Sequence, residues 1–195
     1  MTEPISDDGP VLVPAPTARG ANGAVASPHQ LASQAGIAAL RSGGSAADAA
    51  IATNAALAVV AGYMCGLGGD AFWIIWDAGT GQAHALNGSG RSAAAASVDA
   101  AAGAGLSEMP TRGPWSVTVP GAIRSWGDAH ARFGRLAWAD LLAPAIDLAD
   151  GFAASPAWSR AVESAARIFG TEGDWARTYR PSGRPWRAGE RVRLA

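Results

Sequence analysis

Lysine is absent from this chain of 195 residues, whose 15 basic residues are all arginine, and the acidic residues number 16. The formal net charge is therefore only −1, which leaves no broad basic surface of the kind that neutralises phosphate groups. Nucleic acid is not an expected partner. Cysteine occurs once, as Cys65, which excludes an intrachain disulfide and a CxxC metal site. We expect neither a metal nor a cofactor.

Long apolar runs are also missing. No stretch of about 18 apolar residues is free of glycine and charge, and residues 1–10 lack the apolar segment of a signal peptide. These features predict a cytoplasmic protein that has no membrane partner. Hydrophobic residues still make up 49% of the chain, which is enough to build a core in one large domain or two small ones.

Two serine-led patterns predict the first two helices. Residues 27–30, Ser-Pro-His-Gln, offer an N-cap serine, a proline at the first helical position and a glutamine at the third, so a helix should run to about residue 42. Residues 45–48, Ser-Ala-Ala-Asp, repeat the capping-box spacing and predict an alanine-rich, buried helix to about residue 61. Further helices are expected at about 121–133, 138–149 and 157–169.

The strands are predicted mainly in the middle of the chain. Residues 72–76 are apolar on both faces, which is typical of a central strand, and the turn residues 77–81 connect them to a second strand over 82–86. Residues 24–26 and 115–119 are further strand candidates. Helices grouped before and after an antiparallel hairpin indicate an α+β fold.

Composition divides the chain into three segments. Residues 1–19 are rich in proline, aspartate and glycine and are predicted to be extended, and residues 20–170 carry the periodic elements of one domain. Residues 171–195 are rich in arginine and contain two tryptophans. This last segment is either a flexible basic tail or part of a domain that the sequence leaves in mid-fold, and its tryptophans favour the second interpretation.

The loop Gly66-Leu-Gly-Gly-Asp-Ala-Phe72 concentrates glycine next to an apolar strand. It formally fits the dinucleotide fingerprint G-x-G-x-x-A, but that motif requires strand, loop and helix in that order, whereas here a helix precedes the loop and a strand follows it. A turn needs fewer glycines than the three at positions 66, 68 and 69, which Asp70 follows. We therefore expect that neighbouring backbone or a ligand passes close to this loop.

A series of ordered blocks extends over about residues 20–155 of the chain. The blocks are Gly23-Ala-Val-Ala-Ser-Pro-His-Gln-Leu-Ala-Ser-Gln-Ala-Gly36, Gly43-Gly-Ser-Ala-Ala-Asp-Ala-Ala-Ile-Ala-Thr53, Gly66-Leu-Gly-Gly-Asp-Ala-Phe72, Val117-Thr-Val-Pro-Gly121, and Arg132-Phe-Gly-Arg-Leu-Ala-Trp138 with Leu142-Ala-Pro-Ala-Ile146. In this order they resemble the N-terminal part of the gamma-glutamyltransferase family, and the similarity is more specific than any one glycine motif.

The resemblance implies an N-terminal-nucleophile hydrolase with a four-layer α/β/β/α sandwich, which this chain contains only in part. Such enzymes are made as proenzymes that cleave themselves into a large and a small subunit. The new N-terminal threonine of the small subunit attacks an amide carbonyl, and water or an amine resolves the acyl-enzyme. Backbone N–H groups stabilise the oxyanion. The loop of Gly66, Gly68, Gly69 and Asp70 would then line the site.

One departure from the family concerns the residue that binds the substrate. After the second hairpin strand the family reads roughly D-G-R-E-x-A-P, and its arginine binds the α-carboxylate of the glutamyl group. Here Ser89 stands at the arginine position, and Arg91 follows two residues later. The form Asn-Gly-Ser-Gly-Arg resembles the divergent glutathione-hydrolase-like, oxamate-amidohydrolase-like and acylase-like members. We predict that Arg91 and Ser89 bind the substrate, with a solvated loop arginine as the alternative.

A second departure concerns the nucleophile. No threonine in these residues is followed by the family's T-x-H-type sequence, so we assign no catalytic residue to the chain. The chain is interpreted as an N-terminal fragment that needs a small-subunit segment as its partner to act on an amide. The alternatives are a non-catalytic remnant domain that binds a small acid or a partner, and a hydrolase that depends on Cys65. Of the three histidines, His29 is expected to pack or cap, His84 to be structural on one side of the hairpin, and His130 to lie at the surface.

Overall fold

The structure, a computed structural model, describes residues 17–193, so most of the predicted extended segment 1–19 lies outside it. Helices and short sheets combine in an α+β arrangement, as the sequence predicts. The elements are α1 (Gln30–Arg41), α2 (Ala46–Val60), β1 (Ala71–Asp77), β2 (Gln82–Gly88), α3 (Val98–Gly103), a turn of 3-10 helix (Pro114–Ser116), α4 (Ala122–Phe133), α5 (Trp138–Ala149), β3 (Phe152–Ala153), α6 (Pro156–Phe169), α7 (Gly173–Tyr179) and β4 (Arg191–Val192).

Helix α2 forms the centre of the core and packs against α1, α4 and α5. The predicted capping box is present, because Ser45 Oγ accepts from Asp48 N while Asp48 Oδ2 accepts from Ser45 N. Small side chains let α1 approach closely, and a Cβ atom added to Gly36 would overlap Thr53 Oγ1. The buried, alanine-rich helix expected here is therefore confirmed.

Helix α1 begins later than the sequence predicts, and its N-cap is His29 and not Ser27. The Ser27 hydroxyl donates to the His29 carbonyl and shares a hydrogen bond with Ser33, so it does not cap the helix. His29 Nδ1 instead accepts from Leu31 N at 3.3 Å. Burial lowers the pKa of His29, which keeps the ring neutral and able to accept this bond.

The predicted hairpin is confirmed, with β1 antiparallel to β2 in a register that pairs Ala71 with Gly88 and Asp77 with Gln82. Within residues 17–193 the sheet has only these two strands, so no described strand pairs with the second edge of β1. One face packs on α4, whereas Phe72, Ile74 and Trp76 on the other face are 66–88% exposed. Residues 72–76 are apolar at every position, which suits a strand that is covered on both faces. The described residues cover one of these faces.

The other two strand candidates are wrong. Residues 24–26 belong to no strand, and residues 114–116 form the 3-10 turn instead of extending. A strand needs a ladder of partners, but residues 117–119 make one backbone hydrogen bond to a neighbouring segment, from Val119 N to the Arg91 carbonyl at 2.8 Å. Helices α3 and α7 and the pair β3–β4 were not predicted, because their short runs carry no clear periodicity.

The arginine-rich segment packs on the core as far as residue 193. Tyr179 of α7 lies beside Trp158, with ring centroids 5.8 Å apart, and the side chain of Val192 in β4 is fully buried. Glu190 accepts two hydrogen bonds from the Arg184 guanidinium, each 2.8 Å long, and one from Arg187 N. These hydrogen bonds to Glu190 stabilise the turn that leads into β4.

Glu190 makes this attachment sensitive to acid. The Arg184 guanidinium, followed by the Arg187 amide, lowers the pKa of Glu190 from 4.5 to about 2. Because the folded-state pKa lies below the ordinary one, the stabilisation is present above pH 4.5 and is lost as the pH falls towards 2. We expect thermal unfolding of Glu190→Gln to depend less on pH across this window than that of the wild type. The expectation would be contradicted if the melting temperatures of Glu190→Gln and the wild type changed equally with pH. It would also be contradicted if the exposed control, Glu172→Gln, showed the same weaker dependence on pH.

Candidate functional site

Three segments meet beside the N-terminus of α4, and we call residues 69–70, 88–91 and 118–122 the loop junction. Asp70 connects them, since its Oδ1 accepts from Gly90 N at 3.0 Å and from Thr118 Oγ1 at 3.2 Å. The glycine loop and the segment that carries Arg91, which are 20 residues apart in sequence, are thus in direct contact. The structure brings together the two loops that the sequence singled out.

The main chain of the glycine loop also caps α4. No side chain caps this helix, but the Gly69 carbonyl accepts from Gly121 N at 3.1 Å and from Ala122 N at 2.9 Å. The first amides of a helix have no partner within the helix, so this carbonyl satisfies groups that would otherwise need water. The position of α4 is therefore tied to the loop that precedes β1.

Three other glycines, which the sequence analysis passed over, permit the close approach of these segments. A Cβ atom on Gly90 would overlap the Val119 carbonyl, one on Gly121 would overlap the Gly88 carbonyl, and one on Gly88 would overlap the Ser125 side chain. By contrast, no described atom lies within 4 Å of a Cβ built on Gly66, Gly68 or Gly69, and none of these three has a positive φ. Among the described residues, crowding by backbone does not explain them.

Arg91 has a fixed backbone and a free side chain. Its carbonyl accepts from Val119 N, and the preceding amide is held by Asp70. The guanidinium is exposed and forms no ion pair with any residue between 17 and 193. Asp70 and Arg91 are the charged residues of the junction, and Asp70 Oδ1 accepts the two hydrogen bonds given above. The Arg91 side chain is exposed to solvent.

Ser89 is exposed next to Arg91. Its amide donates to Asn87 Oδ1 at 2.9 Å, which forms a local turn where β2 ends. Its hydroxyl makes one long bond of 3.4 Å, to the Gly90 carbonyl. The hydroxyl can exchange this weak contact for a stronger hydrogen bond to a ligand.

The histidines do not pair with hydroxyl groups of the junction. His84 Nδ1 lies 3.0 Å from Arg132 Nη2, and its ring packs against Phe133. His130 was expected at the surface, but its side chain is only 23% exposed, because its Nε2 bonds the Leu136 carbonyl at 2.8 Å and lies 3.9 Å from Asp48 Oδ1. All three therefore have structural surroundings, as the contacts of His29 already indicate.

Other features of the chain are unremarkable for a site. Cys65 is half-buried and packs against the core where α2 ends. Over the described range 17–193, no three His, Cys, Asp or Glu residues cluster in a way that could hold a metal ion. No helix in this range is both long and apolar enough to cross a membrane.

Comparison with known proteins supports the resemblance seen in the sequence. The family model described as gamma-glutamyltranspeptidase matches residues 32–195. The chain is 48% identical over 133 residues to the glutathione hydrolase-like YwrD proenzyme of Bacillus subtilis. This match covers 67% of this chain and 25% of that protein. It is 37% identical over 180 residues to the oxamate amidohydrolase proenzyme of Klebsiella pneumoniae, covering 88% of this chain and 33% of that protein.

A solved structure shows the same fold. Cephalosporin acylase from Bacillus halodurans superposes with a TM-score of 0.83 at 38% identity, over 95% of this chain and 37% of that chain. The described helices and hairpin therefore form part of an N-terminal-nucleophile hydrolase fold. The chain spans about a quarter to a third of the length of the two curated relatives.

Proposed function

Because the chain belongs to the gamma-glutamyltranspeptidase family, we propose that it forms part of an amidohydrolase that transfers an acyl group from an amide to water or to an amine. Its relatives named above include a glutathione hydrolase-like protein, an oxamate amidohydrolase and a cephalosporin acylase. All three names describe the cleavage of an amide or related acyl bond, which favours this reaction class for the whole protein.

The role that we propose for these residues is to bind the acyl group of the substrate. The observation that carries this proposal is the loop junction, where Asp70 and Val119 hold the backbone around Arg91 while its guanidinium forms no ion pair with the described residues 17–193. A guanidinium binds a carboxylate through two parallel hydrogen bonds, so Arg91 would recognise an acyl group that bears a carboxylate. The Ser89 hydroxyl would donate a further hydrogen bond to the same group.

The attacking group in this proposal is a threonine that lies outside residues 1–195. Both curated relatives are named proenzymes, which agrees with cleavage that creates a new N-terminus. The threonine Oγ would attack the amide carbon while its own α-amine takes the proton. The resulting tetrahedral intermediate would expel the amine, which receives that proton, and leave the acyl-enzyme. Water or a second amine would then release the acyl group.

The complete product of the gene provides the test. We expect the purified protein to consist of two chains by mass spectrometry and to release the amine from a gamma-glutamyl or oxamate-type amide. Arg91→Ala should leave the cleavage into two chains intact and raise KM for a carboxylate-bearing substrate roughly tenfold to a hundredfold, since a hydrogen-bonded charge pair contributes about 1.5–3 kcal/mol.

Arg41→Ala is the matched control, because Arg41 is also an exposed arginine but lies in the last turn of α1. It should behave as the wild type does. Equal KM values for Arg91→Ala and Arg41→Ala would contradict the binding role of Arg91. Binding of the acid without any turnover by the complete product would instead favour the alternative, a non-catalytic domain that binds a small acid.

A further inference from the structure

The hydroxyl of Ser125 lies at the base of the loop junction and has no part in the proposed function so far. Ser125 is in the first turn of α4 and is only 2% exposed. Its Oγ accepts from Trp73 Nε1 of β1 at 3.0 Å and donates to the Ala122 carbonyl at 2.7 Å. This buried hydroxyl thus acts as both donor and acceptor, and the hydrogen bond from Trp73 joins the hairpin to the helix.

This contact works together with the main-chain cap described above. The Ala122 amide donates to the Gly69 carbonyl, and the Ala122 carbonyl accepts from Ser125. The first turn of α4 is therefore attached to the segment around β1 at two points, through Gly69 and through Trp73. The separation between helix and hairpin is set by hydrogen bonds that admit little variation in length.

The Ser125 side chain also supports the end of β2 directly. Gly88, the last residue of β2, packs so closely on Ser125 that a Cβ atom at position 88 would overlap its Cβ. Gly88 immediately precedes Ser89 and lies three positions before Arg91. A shift of Ser125 relative to β1 would therefore move the strand end from which the substrate-binding loop departs.

We propose that Ser125 is a positioning residue that sets the placement of Arg91 and thereby the preference for acyl groups bearing a carboxylate. The inference rests on the proposed function, because it takes Arg91 as the carboxylate-binding group. The Trp73–Ser125 hydrogen bond holds α4 against the hairpin, and the Gly88–Ser125 contact transmits that position to residues 89–91. Bidentate pairing tolerates little displacement, so a small shift of the loop weakens the recognition of the carboxylate.

Two variants remove the hydrogen bond from opposite sides. Ser125→Ala deletes the hydroxyl, and Trp73→Phe deletes the indole N–H while keeping an aromatic ring. The measurement is the dissociation constant of the complete gene product for glutarate and for the neutral glutaramide, by calorimetry. We expect each variant to weaken glutarate roughly tenfold and to leave glutaramide unchanged, and the double variant to be no weaker than either single one.

Ser159→Ala is the matched control, because Ser159, like Ser125, has a hydrogen-bonded hydroxyl on a helix. Ser159 lies in α6, is half-buried, and donates to the Trp186 carbonyl. It should leave both dissociation constants unchanged. Equal weakening of both ligands by Ser125→Ala, or additive effects in the double variant, would overturn the positioning role. If Arg91→Ala weakens glutarate but Ser125→Ala and Trp73→Phe do not, this inference alone fails. If the wild type does not prefer glutarate to glutaramide, or if Arg91→Ala keeps the wild-type preference, the proposed function fails with it.

Discussion

Replacing Asp48 with alanine is expected to lower the free energy of unfolding by about 3–5 kcal/mol, the largest effect on stability that we anticipate for a single side chain. The carboxylate is fully buried, and its Oδ2 accepts from the amides of Ser45, Arg135 and Leu136 at 2.8, 2.9 and 3.3 Å. The substitution removes a capping interaction of α2 and leaves two amides of the α4–α5 connection without their acceptor.

Urea denaturation of the wild type and the variant measures this difference. Asp48→Asn keeps one oxygen in place and should lose less stability than Asp48→Ala. Asp140→Ala is the control, since Asp140 also occupies the first turn of a helix but is exposed, and its removal should change stability by roughly 0.5 kcal/mol or less. A loss of under about 1 kcal/mol for Asp48→Ala would show that its contacts do not stabilise the fold as we argue.

Gly90→Ala is expected to have the largest effect on substrate recognition, lowering kcat/KM for a carboxylate-bearing amide roughly a hundredfold or more. The added Cβ atom would overlap the Val119 carbonyl, so the backbone must move. That movement breaks the hydrogen bond from Gly90 N to Asp70 and the bond from Val119 N to the Arg91 carbonyl. Arg91 would then leave the position in which it meets the substrate.

Gly68→Ala, in the glycine loop that adjoins the loop junction, provides a matched comparison. No described atom lies within 4 Å of a Cβ at position 68, and the φ angle there is not positive, so alanine meets no steric obstacle from the described residues. Steady-state kinetics of both variants separates two explanations. A larger loss for Gly68→Ala than for Gly90→Ala would mean that a ligand, and not neighbouring backbone, sets the limit on side-chain size in these loops.

The elements that the sequence predicted correctly are those defined by nearby residues. The capping box of α2 lies within four positions, and the hairpin turn at 77–81 joins strands that are adjacent in the chain. The amphipathic patterns of α4, α5 and α6 likewise repeat over short distances. Errors fell where a strand had no partner, as at 24–26 and 115–119, since periodicity says nothing about whether a partner exists.

The sequence by itself determined the α+β class, the main helices and the hairpin, and the order of its blocks indicated the family, because caps, turns and motifs are local in the chain. Only the tertiary structure decided which glycines are sterically required, since those at 88, 90 and 121 are constrained by segments distant in sequence. The sequence predicted Asp48 only as part of a helix cap. The tertiary structure showed that Asp48 also accepts hydrogen bonds from the amides of Arg135 and Leu136, which are 87 and 88 residues away. Contacts over such separations depend on how the elements pack, which no short stretch of sequence encodes.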